Sequence, residues 1–474
     1  MEWTTAKARF AFLADAYTGS GGFRPSVEWV TQAVRNDQGE VTGSVSVPSL
    51  MSKTELVRYS RESDTKFAAR NAVAVYDNHL EDAVGRFVGF LGRKLPQRDG
   101  TESPLVKLMV DNADLKGTPL DMFMLQFAAD AKARGSMLLV IDTPTGAPAT
   151  SLADQIQRRR VPYVRSALPE SVVDYLMDAE SGLFLSITLA SRELWEGKVQ
   201  DVERDYTTEG WRVRKAKSQV VLSEGAHTFG ACQVLAFTED GSDFPRIGRY
   251  AQIADLSRRL FNARSERDEI LRSQTFSLLT LQVPPEQAQN FDATKVGATI
   301  GTHSMLVHGG DQPAFIAPDS GPAETYAKNI AELESSIMRI QRKESTESST
   351  QAESGEAKRL RFEELNSELA TFARQLQVLE SRMWSLFMRS TKAGASVSVV
   401  WPDDFNLADV MAELDVLDAM ARTGFPEQVL VEKRKSIAAA EFDGADGDTK
   451  ARIKSAIDEQ SQAVVPPGDA GQQQ

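Results

Sequence analysis

Apolar positions along this chain follow two periods, and the change of period divides it. From Ser52 to about Gly92 the spacing is helical, with Phe67, Val73, Val75, Leu80, Val84, Phe87, Val88 and Leu91 set among Arg and Glu. Residues 119–135 predict a further helix: Pro119 sits in its first turn, Met122, Leu125, Phe127 and Ala131 carry its apolar side, and Gly135 ends it. The unbroken apolar run 137–141, closed by Asp142, predicts a buried strand. Residues 1–50 are mixed, with turn signals at Gly19–Gly22 and from Gly39 to Gly43. Residues 144–153 read as a loop, followed by the polar, basic stretch 155–160. From Pro162 the period falls towards two. Phe184–Leu189, Glu193–Trp195, Trp211–Val213 and Val220–Leu222 predict strands of a twisted antiparallel sheet that closes at about Phe237.

The second half is mainly helical. Residues 249–274 predict a long helix with Ile253, Leu256, Leu260, Ile270 and Leu271 at helical spacing. Its other face carries Arg258, Arg259, Arg264, Arg267 and Arg272, which could pair with acids on neighbouring subunits. A short module of strands and turns follows to about Pro318, broken at Pro284-Pro285. Helix returns at Pro322, where Tyr326, Ile330, Leu333, Ile337 and Ile340 alternate four and three apart. The stretch Glu344–Gly355 holds no large apolar residue, so it is a loop or a frayed helical end. Leu365, Leu369, Phe372, Leu376, Leu379, Met383 and Leu386 then repeat the 4-3 spacing, which predicts a helix over 356–390, ~50 Å long at ~1.5 Å per residue. Two such narrow seams predict helix-to-helix packing, and they motivate a contact repeated between copies. A strand at 397–401, helices through Leu414, Leu417 and Met420 broken at Gly424 and Pro426, and a disordered tail complete an α+β chain.

Composition narrows what such a chain can do. At ~150 residues per domain, 474 residues allow about three domains. With 54 Lys+Arg against 67 Asp+Glu, the net charge of −13 argues against a broad basic surface that grips nucleic acid. It leaves room for a protein that touches DNA without holding it. No apolar run approaches the ~20 residues of a membrane helix. Met1–Lys7 lacks the basic-then-apolar order of a signal peptide. Cys232 is the sole cysteine, which excludes an internal disulfide. Among His79, His227, His303 and His308, the pair His303/His308 could hold a metal, but exposed or capping histidines explain them better. No phosphate-binding G-x-x-x-x-G-K-[ST], H-E-x-x-H or G-x-S-x-G occurs, and no lysine follows Gly19–Gly22. Asp403-Asp404 precede an apolar periodic run, so helix entry accounts for them. We expect no enzyme activity and no cofactor.

Ordered landmarks between about residues 50 and 460 carry a resemblance. They are Gly89–Pro96; Arg160-Val161-Pro162-Tyr163 with Pro169–Tyr175; His227-Thr228-Phe229-Gly230; Leu260-Phe261-Asn262; and Glu344-Ser345-Thr346 running on to Arg361–Asn366. In this order they resemble the bacteriophage portal proteins, with Gln233 standing where proline is more usual. The resemblance implies a wing (1–248), a stem helix (249–275), a clip (276–318), a second stem helix (319–343), a tunnel loop (344–357), a long wing helix and strand (358–402), a helical crown (403–460) and a disordered tail (461–474). It further implies a homo-oligomeric ring, about twelve-fold, at one capsid vertex of the virion, assembled in the host cytoplasm. Double-stranded DNA would pass through it. The terminase large subunit, the major capsid protein with its scaffold, and a head–tail adaptor would be partners, and no membrane would be involved. Lys343, Glu344, Glu347, Ser348, Glu353, Lys358, Arg359 and Arg361 would face the DNA channel, while Ile330, Leu333, Ile337, Leu365, Leu369, Phe372, Leu376 and Leu379 would form the packing seam. Two other readings fit the composition: a scaffold or adaptor without a conduit, and a packaging ATPase, which the missing phosphate loop disfavours.

Overall fold

The computed structural model describes residues 2–24, 29–35, 41–48, 54–60, 62–144, 149–195, 197–275, 278–282, 305–308, 314–316, 321–341, 355–391, 396–405, 410–441 and 447–463. They divide into two compact units, Met1–Phe405 and Asn406–Gln474.

Helix α1 (Trp3–Thr18) opens the first unit, burying Ala6, Phe10, Leu13 and Ala16. The sequence pattern missed it because those buried positions are mostly small or isolated. A two-stranded antiparallel hairpin follows, β1 (Trp29–Arg35) and β2 (Val41–Pro48). The helical pattern predicted over 52–92 is interrupted. Residues 54–60 and 62 are irregular, and helices α2 (Asp64–Val73) and α3 (His79–Leu91) are separate. Each has its own start: the side chains of Ser63 and Asn78 accept from the backbone N–H of Lys66 and Glu81. After β3 (Gln97–Asp99) and α4 (Pro104–Asp111), helix α5 (Leu120–Arg134) begins where predicted. It ends at Gly135, whose φ of 90° favours glycine.

Strand β4 (Ser136–Asp142) is buried along its whole length. It lies between β5 (Tyr163–Ala167) and, later in the chain, β11 (Val234–Thr238), antiparallel to both. Met137, Leu139 and Ile141 enter one apolar core, and Leu138 and Val140 enter another. That two-sided burial is why this run is apolar without alternation. The basic stretch read as a connection contains a short helix, α6 (Leu152–Gln157).

The second core is closed by a five-stranded antiparallel sheet in the order β10-β9-β8-β7-β6. Its strands are β6 (Val172–Met177), β7 (Phe184–Trp195), β8 (Lys198–Thr207), β9 (Gly210–Lys215) and β10 (Val221–Ala226). The two short strands predicted at 184–189 and 193–195 are one strand. Strand β8 was missed because one of its faces carries Asp201, Glu203 and Asp205, which break the apolar count. Their partners Arg192 and Arg214 lie on neighbouring strands.

Helices α7 (Ala251–Thr275), α8 (Gly321–Ile340) and α9 (Gly355–Thr391) return to the first core, together with β15 (Ser398–Val400), which pairs with β3. Between α7 and α8 lie β12 (Leu278–Gln282), β13 (Met305–His308) and β14 (Ala314–Ile316), with β12 central, parallel to β13 and antiparallel to β14. The 4-3 stripes of α8 and α9 are consumed inside this core. Ile330, Ile337, Leu369, Phe372, Leu376 and Leu379 are buried, and Leu333 and Leu365 pack against them. The seam residues therefore pack helices within one chain.

The second unit holds α10 (Val410–Arg422), α11 (Glu427–Glu441) and α12 (Gly447–Ala463), each packed on the next, with Leu430, Val431 and Ile437 buried. Two boundaries move. Trp401 and Phe405 belong to the core of the first unit, so residues 403–405 do not open the helical segment. Helix α12 also runs three residues into the predicted tail.

Candidate functional site

The elements that carry the candidate residues are the pair α7/α8, the small sheet between them in sequence, and α9. The pair runs antiparallel. Arg264, half-way along α7, bridges Asp77 and Glu334 of α8, the latter at 2.7 Å. Nearer the small sheet, Glu266 accepts from the Tyr326 hydroxyl and, with burial, raises its pKa. Three further arginines of α7 also find partners within the chain. Arg258 approaches Glu55 at 3.6 Å and stacks on Phe12, Arg267 meets Asp268 at 3.2 Å, and Arg272 meets Glu269 at 3.5 Å. Asn262 donates to the Glu55 carbonyl at 3.0 Å and accepts from the Val57 N–H at 2.7 Å, which fixes the 54–57 segment against α7. Beside it opens a cleft of about 1010 Å³ between that segment and the helix pair.

Helix α9 is clamped at two points by buried charge. Lys132 donates to Glu368 at 2.7 Å and Glu239 at 3.1 Å, under the ring faces of Phe87 and Tyr250. Twelve residues on, Glu380 is fully buried. It accepts from Arg98 Nε at 2.5 Å and from the indoles of Trp401 and Trp384 at 2.9 and 3.2 Å. Asn366 adds a third tie, accepting from the Phe405 N–H at 2.7 Å and donating to Asp404 at 2.9 Å. Lys94 also bonds the Asp404 carbonyl, at 2.8 Å. Among the described residues the next helix starts only at Val410. Sequence reasoning missed Lys132, Glu368, Arg98 and Glu380. A charged residue beside an apolar stripe reads as surface, and its partners lie hundreds of positions away.

Of the residues expected in a channel, Lys358, Arg359 and Arg361 fall in the first two turns of α9. Lys343, Glu344, Glu347, Ser348 and Glu353 lie outside the described residues, as does His303. His308 ends β13, and no group of metal-binding side chains occurs among the described residues. The Cys232 thiol is buried, and burial pushes its pKa up to about 11.

No protein-family model matches the chain, and no curated protein matches it. Solved structures do. One is from the virion of a native gene transfer agent particle, with 12% identity and a TM-score of 0.37 over 73% of this chain and 86% of that one. Another is from the neck of the native particle computed with C12 symmetry, with 12% identity and a TM-score of 0.37 over 76% and 89%. A third is from the neck of the empty particle computed with C6 symmetry, with 10% identity and a TM-score of 0.35 over 75% and 88%. Likenesses at these scores fix neither fold nor function.

Proposed function

We propose that the chain is a portal subunit, a structural component that rings a DNA conduit at one vertex of a tailed-phage-type particle. One observation carries the reading. An antiparallel helix pair is joined by a compact three-stranded sheet and leads, through residues 342–354, into a long helix held rigidly by the body. That is the order stem, clip, stem, tunnel loop and wing helix implied by the sequence landmarks.

The chemistry of the segments suits the parts. Residues 344–354 hold three glutamates, Glu344, Glu347 and Glu353, and no apolar anchor, so phosphate would be repelled rather than held. The repulsion is ~1 kcal/mol for a close pair in water, screened beyond ~8–10 Å. Lys358, Arg359 and Arg361 would offset part of it and centre the duplex. The β12–β14 sheet would dock the terminase during packaging and an adaptor afterwards. Purified protein examined by negative-stain microscopy should show rings with a central hole. Monomer alone by native mass spectrometry, at every concentration and with packaging partners present, would end the proposal.

A further inference from the structure

Between Leu365 and Thr391, every exposed residue of α9 falls within an arc of about 100° on one face of the helix. That face holds Arg374, Arg382 and Arg389, and otherwise only Val378 and serine or threonine. The two acids of the same stretch are engaged elsewhere: Glu368 meets Lys132, and Glu380 is fully buried beside Arg98. The three arginines form a rail ~22 Å long at ~1.5 Å per residue. None of them has an ion pair or a hydrogen bond among the described residues. Exposed arginines elsewhere do: Arg192, Arg212 and Arg422 meet carboxylates at 2.9, 3.0 and 3.4 Å.

An uncompensated basic face on a chain of net charge −13 selects a polyanion. Guanidinium and hydroxyl groups interleaved along one line are the donors that contact nucleic-acid phosphates without reading bases. Duplex DNA carries one charge per ~1.7 Å of its axis, so phosphates come within reach of all three arginines in any register. A folded acidic protein would instead have to hold three unpaired carboxylates at matching positions. Asp243 is the one carboxylate lining the hollow beside Arg382, which Gln375 and Ser242 share, so it weakens the rail at that point without cancelling it. We infer that the exposed face of α9 is a phosphate-contacting rail for double-stranded DNA. Three such contacts give weak, salt-sensitive attachment, which permits movement along the duplex. The inference rests on the reading that DNA passes this chain, and it adds a contact outside residues 344–354.

The test is binding of the full chain to a fluorescent duplex of about 30 base pairs, by anisotropy over about 50–200 mM salt. Wild type is compared with R374Q/R382Q/R389Q and with R192Q/R212Q/R422Q. The second variant removes the same charge from exposed arginines that already have partners. Melting should be unchanged in both, and binding is compared at a concentration where native mass spectrometry finds all three proteins in the same assembly state. The rail variant should lose about 2.7 from the log–log salt slope, ~0.9 for each phosphate contact, and at least about tenfold in affinity at the lowest salt. The control should keep the wild-type slope. Equal losses in both variants trace binding to net charge and overturn the rail. So does a wild-type slope in the rail variant, or wild type that binds no duplex at the lowest salt. Rail-variant protein that binds DNA normally but no longer assembles also overturns it, and assigns the arginines to an acidic face of a neighbouring copy. Rings with a central hole keep the portal reading in each of these cases. Rail-dependent binding by a chain that stays monomeric supports the rail and sinks the ring.

Discussion

At the scale of single residues, the charges with the most influence on stability are those withdrawn from water. Arg98 and Glu380 meet where Glu380 is fully buried and the guanidinium nearly so, and Glu380 also satisfies two indoles. Replacing Glu380 with Ala leaves a buried guanidinium with Asp121 alone and should cost ~3–5 kcal/mol, read as a fall in the urea midpoint. Gln at the same position keeps one acceptor and should cost less. Arg70 and Glu62 form a second buried pair, with bonds of 2.8 and 2.9 Å. The Arg70 guanidinium holds the Glu62 carboxyl below the usual carboxylate range. A depressed folded-state pKa adds stability above the unfolded value and loses it as pH falls through the folded value. Glu62→Gln should therefore destabilise most near neutrality. Its deficit against wild type should shrink below about pH 4, which urea titrations at several pH values would show. A deficit that grows in acid would refute the pairing.

At the scale of elements, α9 ties the first unit together. Its Phe372 packs edge-on against Phe87 and Phe237, and the Lys132 ammonium lies over its ring. Truncating Phe372 to Ala should cost ~3–5 kcal/mol by calorimetry, because the helices and strand around it are too constrained to collapse into the space. The acidic stretch before α9 should respond in the opposite way. Replacing Glu347 and Glu353 with Lys changes charge and touches no apolar residue, so ring assembly and melting should stay normal. Packaging or DNA retention should fall as phosphate gains attractive contacts. Unchanged DNA filling in a particle carrying both substitutions would remove this loop from the channel.

At the scale of the molecule, the division after Phe405 has a physical basis. Trp401 and Phe405 are buried in the first core, whereas α10–α12 form their own contacts around Leu430, Val431 and Ile437. A chain ending at Phe405 should keep the helical circular dichroism of residues 1–405 and melt cooperatively near the temperature of that unit in the full chain. Cutting before Trp401 should not preserve it, since the Trp401 indole bond to Glu380 and the buried Trp401 and Phe405 rings are then lost. Aggregation of the longer truncation would show that the core extends past Phe405.

Local periodicity was enough to place α5, α7, α8 and α9 within a few residues, because each carries an apolar stripe whose spacing belongs to one conformation. Strand β4 was legible for a related reason: burial on both faces demands an unbroken apolar run. The charge of −13 and the acidic, hydroxyl-rich stretch before α9 were equally plain, since solvation is a property of composition. Periodicity could not say what the stripes of α8 and α9 pack against. A 4-3 repeat suits a neighbouring subunit and the chain's own core alike, and only the fold assigned both to the core. Nor could it find Lys132 with Glu368, or Arg98 with Glu380. A buried charge is tolerable only beside a partner brought from far along the chain.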